Sequence, residues 1–465
     1  MRPGFDLLIR GGEVVNGDAR AALDVGVAGG RVAALLAPGS PAAAEREIDA
    51  TGLLVMPGGV DTHTHVAWPY DDTVTVDDWH SATRAAVLGG TTTIMDFVPP
   101  AEGGLAARCR ARVEEAAADA VIDFGFHPIL TASDTRDVED IGKVIAEGFT
   151  SFKMYTTYED RRVDDGAAWT LMRAIAANGG LPGFHAENHE ILTNALDDQV
   201  RSGHLGLADY PHSRPGLAEA ETIHMVSMYA RRLGTPVYIF HVSGSDALDA
   251  VRFARQAGTV VHAETCTHYL AHDESVFTGE DAWRFVISPP IRGAADRLDL
   301  WSGIADGTVV SVGSDHCAYD TSAKRGWEHD HRHIPAGAPG IEARTPVLWN
   351  EAVNVRGLDP CQFVQVSAER AARALGLFPR KGRVAVGADA DLVLWDPARA
   401  WTGADLRPVS PATFSLYERS SGTGLARHVV AGGRLVVENG TFAGERGAGR
   451  FLARAPMARQ AGGRP

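Results

Sequence analysis

Between residues 57 and 380 the chain alternates short apolar runs with Ala- and Arg-rich stretches of helical period. This alternation limits the fold more than any other feature. The strand candidates are LLVMPGGVDTHTH, TTTIMDF, FGFHPIL, TSFKMY, LPGFHAE, PVYIFHV, TVVHAE and TVVSVGSDH. Helical patterns lie between them at 79–89, 105–118, 137–148, 166–178, 217–234 and 245–257. Eight strands separated by helices argue an α/β chain with a parallel sheet, since parallel neighbours need long crossovers. A closed (β/α)8 TIM barrel is the expected form, with polar function at the C-terminal ends of its strands. An open doubly wound sheet is the alternative, but no GxGxxG follows the first strand.

The two ends read differently. FDLLIRGGEVV and LDVGVAGGRVAALL are short strand patterns broken by Gly pairs, which suit tight hairpin turns. Similar material returns at VAVGADADLVLWDP and HVVAGGRLVVENG. One composite β-sandwich domain built from both termini is therefore expected, with Leu392, Leu394 and Val430 in its core. The expected division is 1–56 for the first part of the sandwich, 57–380 for the barrel and 381–445 for the rest of the sandwich. Residues 446–465 form an Arg-rich C-terminal tail, read as loose or, alternatively, as an arm on a neighbouring subunit.

Composition narrows the partners. With 44 basic and 59 acidic residues the net charge is −15, which disfavours nucleic acid and anionic membrane. No apolar run is long enough to span a bilayer, and MRPGFDLLIRGGEVV is too polar for a secretory signal. Cys109, Cys266, Cys317 and Cys361 are scattered without a CxxC, as expected of reduced thiols in a cytoplasmic protein. Only four lysines occur, at 143, 153, 324 and 381, so a Lys inside an apolar run needs a reason.

The strongest chemical signal is DTHTH, which ends the first barrel strand. Residues i and i+2 of a strand share a face, so His63 and His65 project together as a metal-binding pair. Four later strands also end in a ligand type: Lys153 in TSFKMY, His185 in GFHAE, His241 in YIFHVS and Asp315 in VGSDHC. Any one has a plain explanation, but five strand ends together make a site. Lys153 is the odd member, since a buried ammonium is costly and cannot bind a cation. Burial favours the neutral amine, which can add CO2 to become an anionic carbamate or can simply pair with a nearby acid. His329, His331 and His333 repeat the HxH spacing in a polar stretch and read as a mobile loop near the barrel mouth. His127 ends a strand without an evident partner and reads as structural.

PGGVDTHTH, GGTTTIMDFVPP, GFTSFKMYTTYED, FHAENHE, FHVS, ETCTHYL, SPPIR, GSDHCAY and VGADADLVLWDP resemble the cyclic amidohydrolases, most closely the dihydropyrimidinase and hydantoinase branch. The resemblance runs from about residue 5 to 450. It implies two bridged divalent metals, usually zinc. His63, His65 and Asp315 would hold the more buried ion and His185 and His241 the other, with carboxylated Lys153 as the bridge. Tyr158 matches the family's substrate-orienting tyrosine, and Ser288 in SPPIR matches a residue whose backbone meets the substrate amide. The family's IPNG segment reads IPAG here, placing Ala336 at a substrate-binding position. The loop after the first strand carries Trp68, Pro69 and Tyr70 where the branch is usually more aliphatic.

The implied activity is hydrolysis of a 5-substituted hydantoin or a dihydropyrimidine to an N-carbamoyl amino acid by a metal-bridging hydroxide. Asp315 would shuttle the proton and Tyr158 would donate to the oxyanion. Allantoinase or another cyclic ureide or lactam hydrolase is the alternative, and an inactive interaction protein a remote one. A homotetramer is the assembly the resemblance implies.

Overall fold

A computed structural model describes residues 4–70, 73–406, 409 and 411–457. The alternation in the middle of the chain does produce a parallel barrel. Its first three strands, Gly59–Asp61, Thr91–Val98 and Asp123–Pro128, pair in parallel. The next five, Ser151–Tyr155, Leu181–His185, Val237–Ile239, Val261–Cys266 and Val309–Gly313, pair in parallel in chain order. A parallel bridge from Ile129 to Lys153 joins the two sets, and one from Thr64 to His316 closes the ring. Every residue of Thr91–Val98 is buried, as expected of a strand covered on both faces. The crossover helices begin at side-chain caps such as Asp78, Asp164 and Asn188, whose carboxylate or amide oxygens accept first-turn N–H groups.

Two further sheets hold both ends of the chain. Phe5–Arg10, Asp24–Ala28, Arg31–Leu36 and Ala44–Asp49 make a four-stranded sheet. A seven-stranded sheet interleaves Glu13–Val15, Arg20–Ala22 and Leu54–Pro57 with Leu392–Thr402, Ser421–Ala431, Arg434–Glu438 and Thr441–Phe442. The seam between the termini is antiparallel, with Leu392 opposite Pro57 and Leu394 opposite Val55. Leu392, Leu394 and Val430 pack in one core with Ile9, Val25 and Val32. Gly29–Gly30 and Gly432–Gly433, all at positive φ, make the two-residue hairpins their sequence suggests. Gly11–Gly12 does not: it carries the chain from one sheet to the other.

The run LLVMPGGVDTHTH is not one strand. Leu54–Pro57 belongs to the sandwich and Gly59–Asp61 to the barrel, with Gly58 at the changeover. A Cβ on Gly58 would lie 2.0 Å from Thr92 Oγ1, so only glycine lets the chain pass so close to the second strand.

The tail corrects another expectation. Residues 446–457 are not loose; they strap across this chain's own barrel. Phe451 bridges Phe124, Leu452 is fully buried, and Arg450 donates to Asp123 at 3.1 Å. Arg454 is buried and donates to Ser151 Oγ at 2.7 Å and the Phe126 carbonyl at 2.8 Å. Asp123 also meets Lys381 at 2.7 Å, and Lys381 pairs with Asp389 and Asp391 as well. Barrel, sandwich and strap thus share one buried ion-pair cluster. Arg459 and Arg464 lie outside the described residues. Leu452→Ala is expected to cost about 2–5 kcal/mol, the usual range for emptying a buried leucine site. Urea unfolding would read this as a lower midpoint, and an unchanged midpoint would show that the strap is dispensable.

Candidate active site

The predicted residues meet at one end of the barrel. His63 and His65 follow the first strand, Lys153 lies within the fourth, and His185 ends the fifth. His241 and Asp315 follow the sixth and eighth. His63 Nε2 lies 3.2 Å from His65 Nε2, 3.0 Å from Lys153 Nζ and 3.1 Å from an Asp315 carboxylate oxygen. His65 Nε2 is 3.5 Å from the same oxygen. Across the site, His185 Nδ1 lies 2.9 Å from His241 Nε2.

Two buried acids set the ring tautomers. Glu264 accepts from His63 Nδ1 at 2.8 Å, and Glu187 accepts from His185 Nε2 at 2.6 Å. A nitrogen facing a carboxylate carries the proton, so His63 Nε2 and His185 Nδ1 present lone pairs to the interior. Burial holds all four imidazoles below their ordinary range, so they are neutral at pH 7. Burial also pushes Asp315 upward, but His63, His65 and His241 outweigh it and hold the carboxyl well below the usual range. Burial lowers Lys153 to about 8, against the pull of Asp315 and Glu264. Its Nζ sits over the rings of Phe97, Tyr155 and Phe240 at 4.2, 4.9 and 4.8 Å.

This donor set fits a divalent cation. His63, His65 and Asp315 bring ligand atoms within 4.8 Å of one another. His63 Nε2 and His185 Nδ1 turn their lone pairs toward further ring nitrogens at 3.2 and 2.9 Å. His65 Nδ1 and His241 Nδ1 are buried without a partner. A metal would use these convergent nitrogens as ligands.

The backbone carries the same mark. Tyr158, His241 and Asp315 have φ of 70°, 39° and 48°, in the left-handed region that side chains avoid. Such conformations persist where the surroundings over-determine them, as at active sites. A cavity of about 270 Å³ opens over the donors, with Trp68, Tyr155, Tyr158 and Tyr319 among its walls. Ser288 and Ala336 line it together with Tyr158, and these three also border an adjoining cavity of about 310 Å³. Trp68 is buried edge-on to His65 at 4.9 Å. The side chain of Tyr70 lies outside the described residues.

The amidohydrolase family pattern matches residues 54–436. A D-phenylhydantoinase of Escherichia coli K12 is 35% identical over 455 residues, 97% of this chain and 98% of its own. Dihydropyrimidinase from Brevibacillus agri NCHU1002 superposes with a TM-score of 0.93 at 33% identity, over 97% of this chain and 99% of that one. L-hydantoinase from Arthrobacter aurescens gives 0.89 at 27% identity, over 97% and 100%. This chain belongs to the amidohydrolase family.

Amidohydrolases are metal-dependent, in keeping with the donor set. In this amidohydrolase His268 also brings a ring nitrogen within 4.8 Å of Cys266 Sγ and an Asp315 carboxylate oxygen. His127 is buried lower in the barrel and shares a hydrogen bond of 2.7 Å with Ser151. Within EHDHRH, His331–His333 form a 3-10 turn, with His331 buried 3.1 Å from Gln199 Oε1. Three residues escaped sequence reasoning: Glu187, Glu264 and Arg214. The acids sit in HAE and HAE-like TVVHAE, and an acid at the end of an apolar strand is the signal that could have found them. Arg214 gives no local signal, since its partners come from other segments.

Glu264 holds more than one group. Thr62 and Tyr238 donate to it at 2.5 and 2.8 Å, and the His241 N–H at 3.3 Å. Burial pushes it up to about 7 against these bonds. Glu264→Ala is expected to weaken divalent-metal affinity about 10–100-fold, as losing a partner of a ligating His does. Metal titration of the stripped protein checks this, and unaltered affinity would show that His63 needs no such support.

Proposed function

We propose that the protein opens cyclic amides, turning a 5-substituted hydantoin or a dihydropyrimidine into the N-carbamoyl amino acid. His63, His65 and Asp315 would hold one metal and His185 and His241 a second, with Lys153, as its carbamate, supplying an anionic ligand to them. Zinc would suit this set of imidazole and carboxylate oxygen donors. One observation carries this reading. A buried amine lies 3.0 Å from His63 Nε2, and among the described residues no carboxylate is within ion-pairing distance of it. A carbamate supplies the missing anion. The names of the similar proteins, D-phenylhydantoinase and dihydropyrimidinase, support the substrate class.

Metal held there supplies Lewis acidity, lowering the pKa of water and polarising a carbonyl. Asp315 takes the proton of the attacking water and returns it to the departing ring nitrogen. Tyr158 donates to the oxygen that gains charge; burial raises its pKa, so the phenol keeps its proton at pH 7. The aromatic walls suit a neutral, planar ring and exclude water from it. Ser288 and Ala336, which line the same cavity, serve as substrate-binding positions. We read the assembly as a homotetramer, which light scattering showing a monomer would refute. The four free cysteines support a cytoplasmic setting, and no described helix is long and apolar enough to cross a membrane.

The reading is tested with zinc-loaded protein on hydantoin, an aryl-substituted hydantoin, dihydrouracil and allantoin. Ring opening of a hydantoin or dihydrouracil is expected, and failure on all four would overturn it. Lys153→Ala should fold, bind little metal and lose turnover, with partial rescue by short-chain carboxylic acids. Wild-type metal content and turnover would remove the carbamate. A folded pKa of about 8 leaves roughly one amine in ten neutral at pH 7. The neutral fraction rises with pH, so reconstitution of the stripped enzyme at a fixed concentration of dissolved CO2 should be faster at higher pH. A rate that falls with pH would contradict it.

A further inference from the structure

Arg214 lies in the short link before the helix Gly216–Leu233 and lines the adjoining cavity. Its guanidinium reaches two groups at once. Nε donates to Glu187 Oε1 at 3.1 Å and Nη2 donates to Glu187 Oε2. The same Nη2 donates to the Tyr158 hydroxyl oxygen at 3.2 Å. Its charge centre lies 5.4 Å from the Tyr158 ring centroid. Arg292 secures the loop by donating to the Arg214 carbonyl at 2.5 Å.

We propose that Arg214 is a positioning residue for Tyr158, fixing the phenol oxygen so that its hydroxyl proton is free to face the reacting carbonyl. The inference rests on the reading of Tyr158 as the oxyanion donor. A guanidinium has donors only, so the phenol oxygen must accept from it and the phenol proton is left to be given elsewhere. The adjacent positive charge also polarises the O–H bond toward a developing negative oxygen. Local structure alone does not hold this ring. Tyr158 has a φ of 70°, and only its carbonyl is tied locally, by the Arg161 and Arg162 N–H groups at 3.1 and 2.8 Å. The clamp comes from a loop 56 residues later. The other arm of the fork neutralises Glu187, which orients His185. A lysine could keep the charge beside Glu187 but could not span both partners, because an ammonium is a single point donor on a flexible stem.

Arg214→Lys therefore separates the two duties. It is expected to retain bound metal and substrate KM while kcat falls about 10–100-fold, the range for losing a hydrogen bond from a charged donor. In a Tyr158→Phe background the same change should cause no further loss, because the group it acts through is gone. Guanidinium ion added to Arg214→Ala should restore turnover, and should not do so in Arg214→Ala/Tyr158→Phe. Wild-type kcat in Arg214→Lys overturns the proposal. So does a loss that adds in full to that of Tyr158→Phe, or one that tracks metal content and is rescued equally in both backgrounds. Those results would assign Arg214 to Glu187 alone. If Tyr158→Phe is itself fully active with metal bound, the oxyanion reading of Tyr158 fails first, a result distinct from failure of the clamp.

Discussion

Closure of the barrel between its first and eighth strands is the constraint on which the site depends. Thr64 bridges His316, the His65 N–H donates to the His316 carbonyl at 2.7 Å, and the Ser314 N–H donates to an Asp61 carboxylate oxygen at 2.9 Å. His63, His65 and Asp315 lie on these two segments. The hydrogen bonds that shut the ring are therefore the bonds that bring three donors together. An open sheet would leave the first and last strands on opposite edges, and the donors with them.

Dryness supplies the rest of the chemistry. Around this seam, burial keeps the imidazoles neutral and the tyrosine protonated, and it brings the lysine down to about 8, where a neutral fraction exists near pH 7. Such a site collapses unless each ring is oriented by something that cannot move. Glu264 and Glu187 do this for one ring each, and both are wholly buried. Glu264 is anchored by Thr62 and Tyr238, Glu187 by Arg214. The strained backbones of Tyr158, His241 and Asp315 are sustained by the same close packing.

The sandwich and the strap bear on this site through the opposite end of the barrel. Gly58 passes the chain directly from sandwich to first strand, and its N–H donates to the Asp391 carbonyl at 2.9 Å. Asp391 pairs with Lys381, which also holds Asp123 at the start of the third strand. Arg454 reaches Ser151, two residues before Lys153, from beneath. Terminal segments far from the donors in sequence thus fix the strands that carry them.

Much of this was legible in the chain. Eight apolar runs with helices between them dictate a parallel barrel, because period and length leave few ways to bury both faces of each strand. Polar residues at the ends of five such runs mark the donors, since strand ends share one rim. The Gly pairs mark two hairpins, because only a residue free at positive φ makes that turn. Other features were decided by tertiary structure. The run around Gly58 looks like one strand, and only the neighbouring Thr92 shows why it must divide. The tail reads as a loose basic segment until Phe451 and Leu452 are seen against the barrel, because alternation over so few residues carries no signal. His331 reads as part of a polar loop until Gln199, 132 positions away, is seen beside it. Arg214 has no pattern of its own. Its meaning lies in Glu187 and Tyr158, which come to it from the loops after the fifth and fourth barrel strands, and a contact between distant segments leaves no period in a sequence.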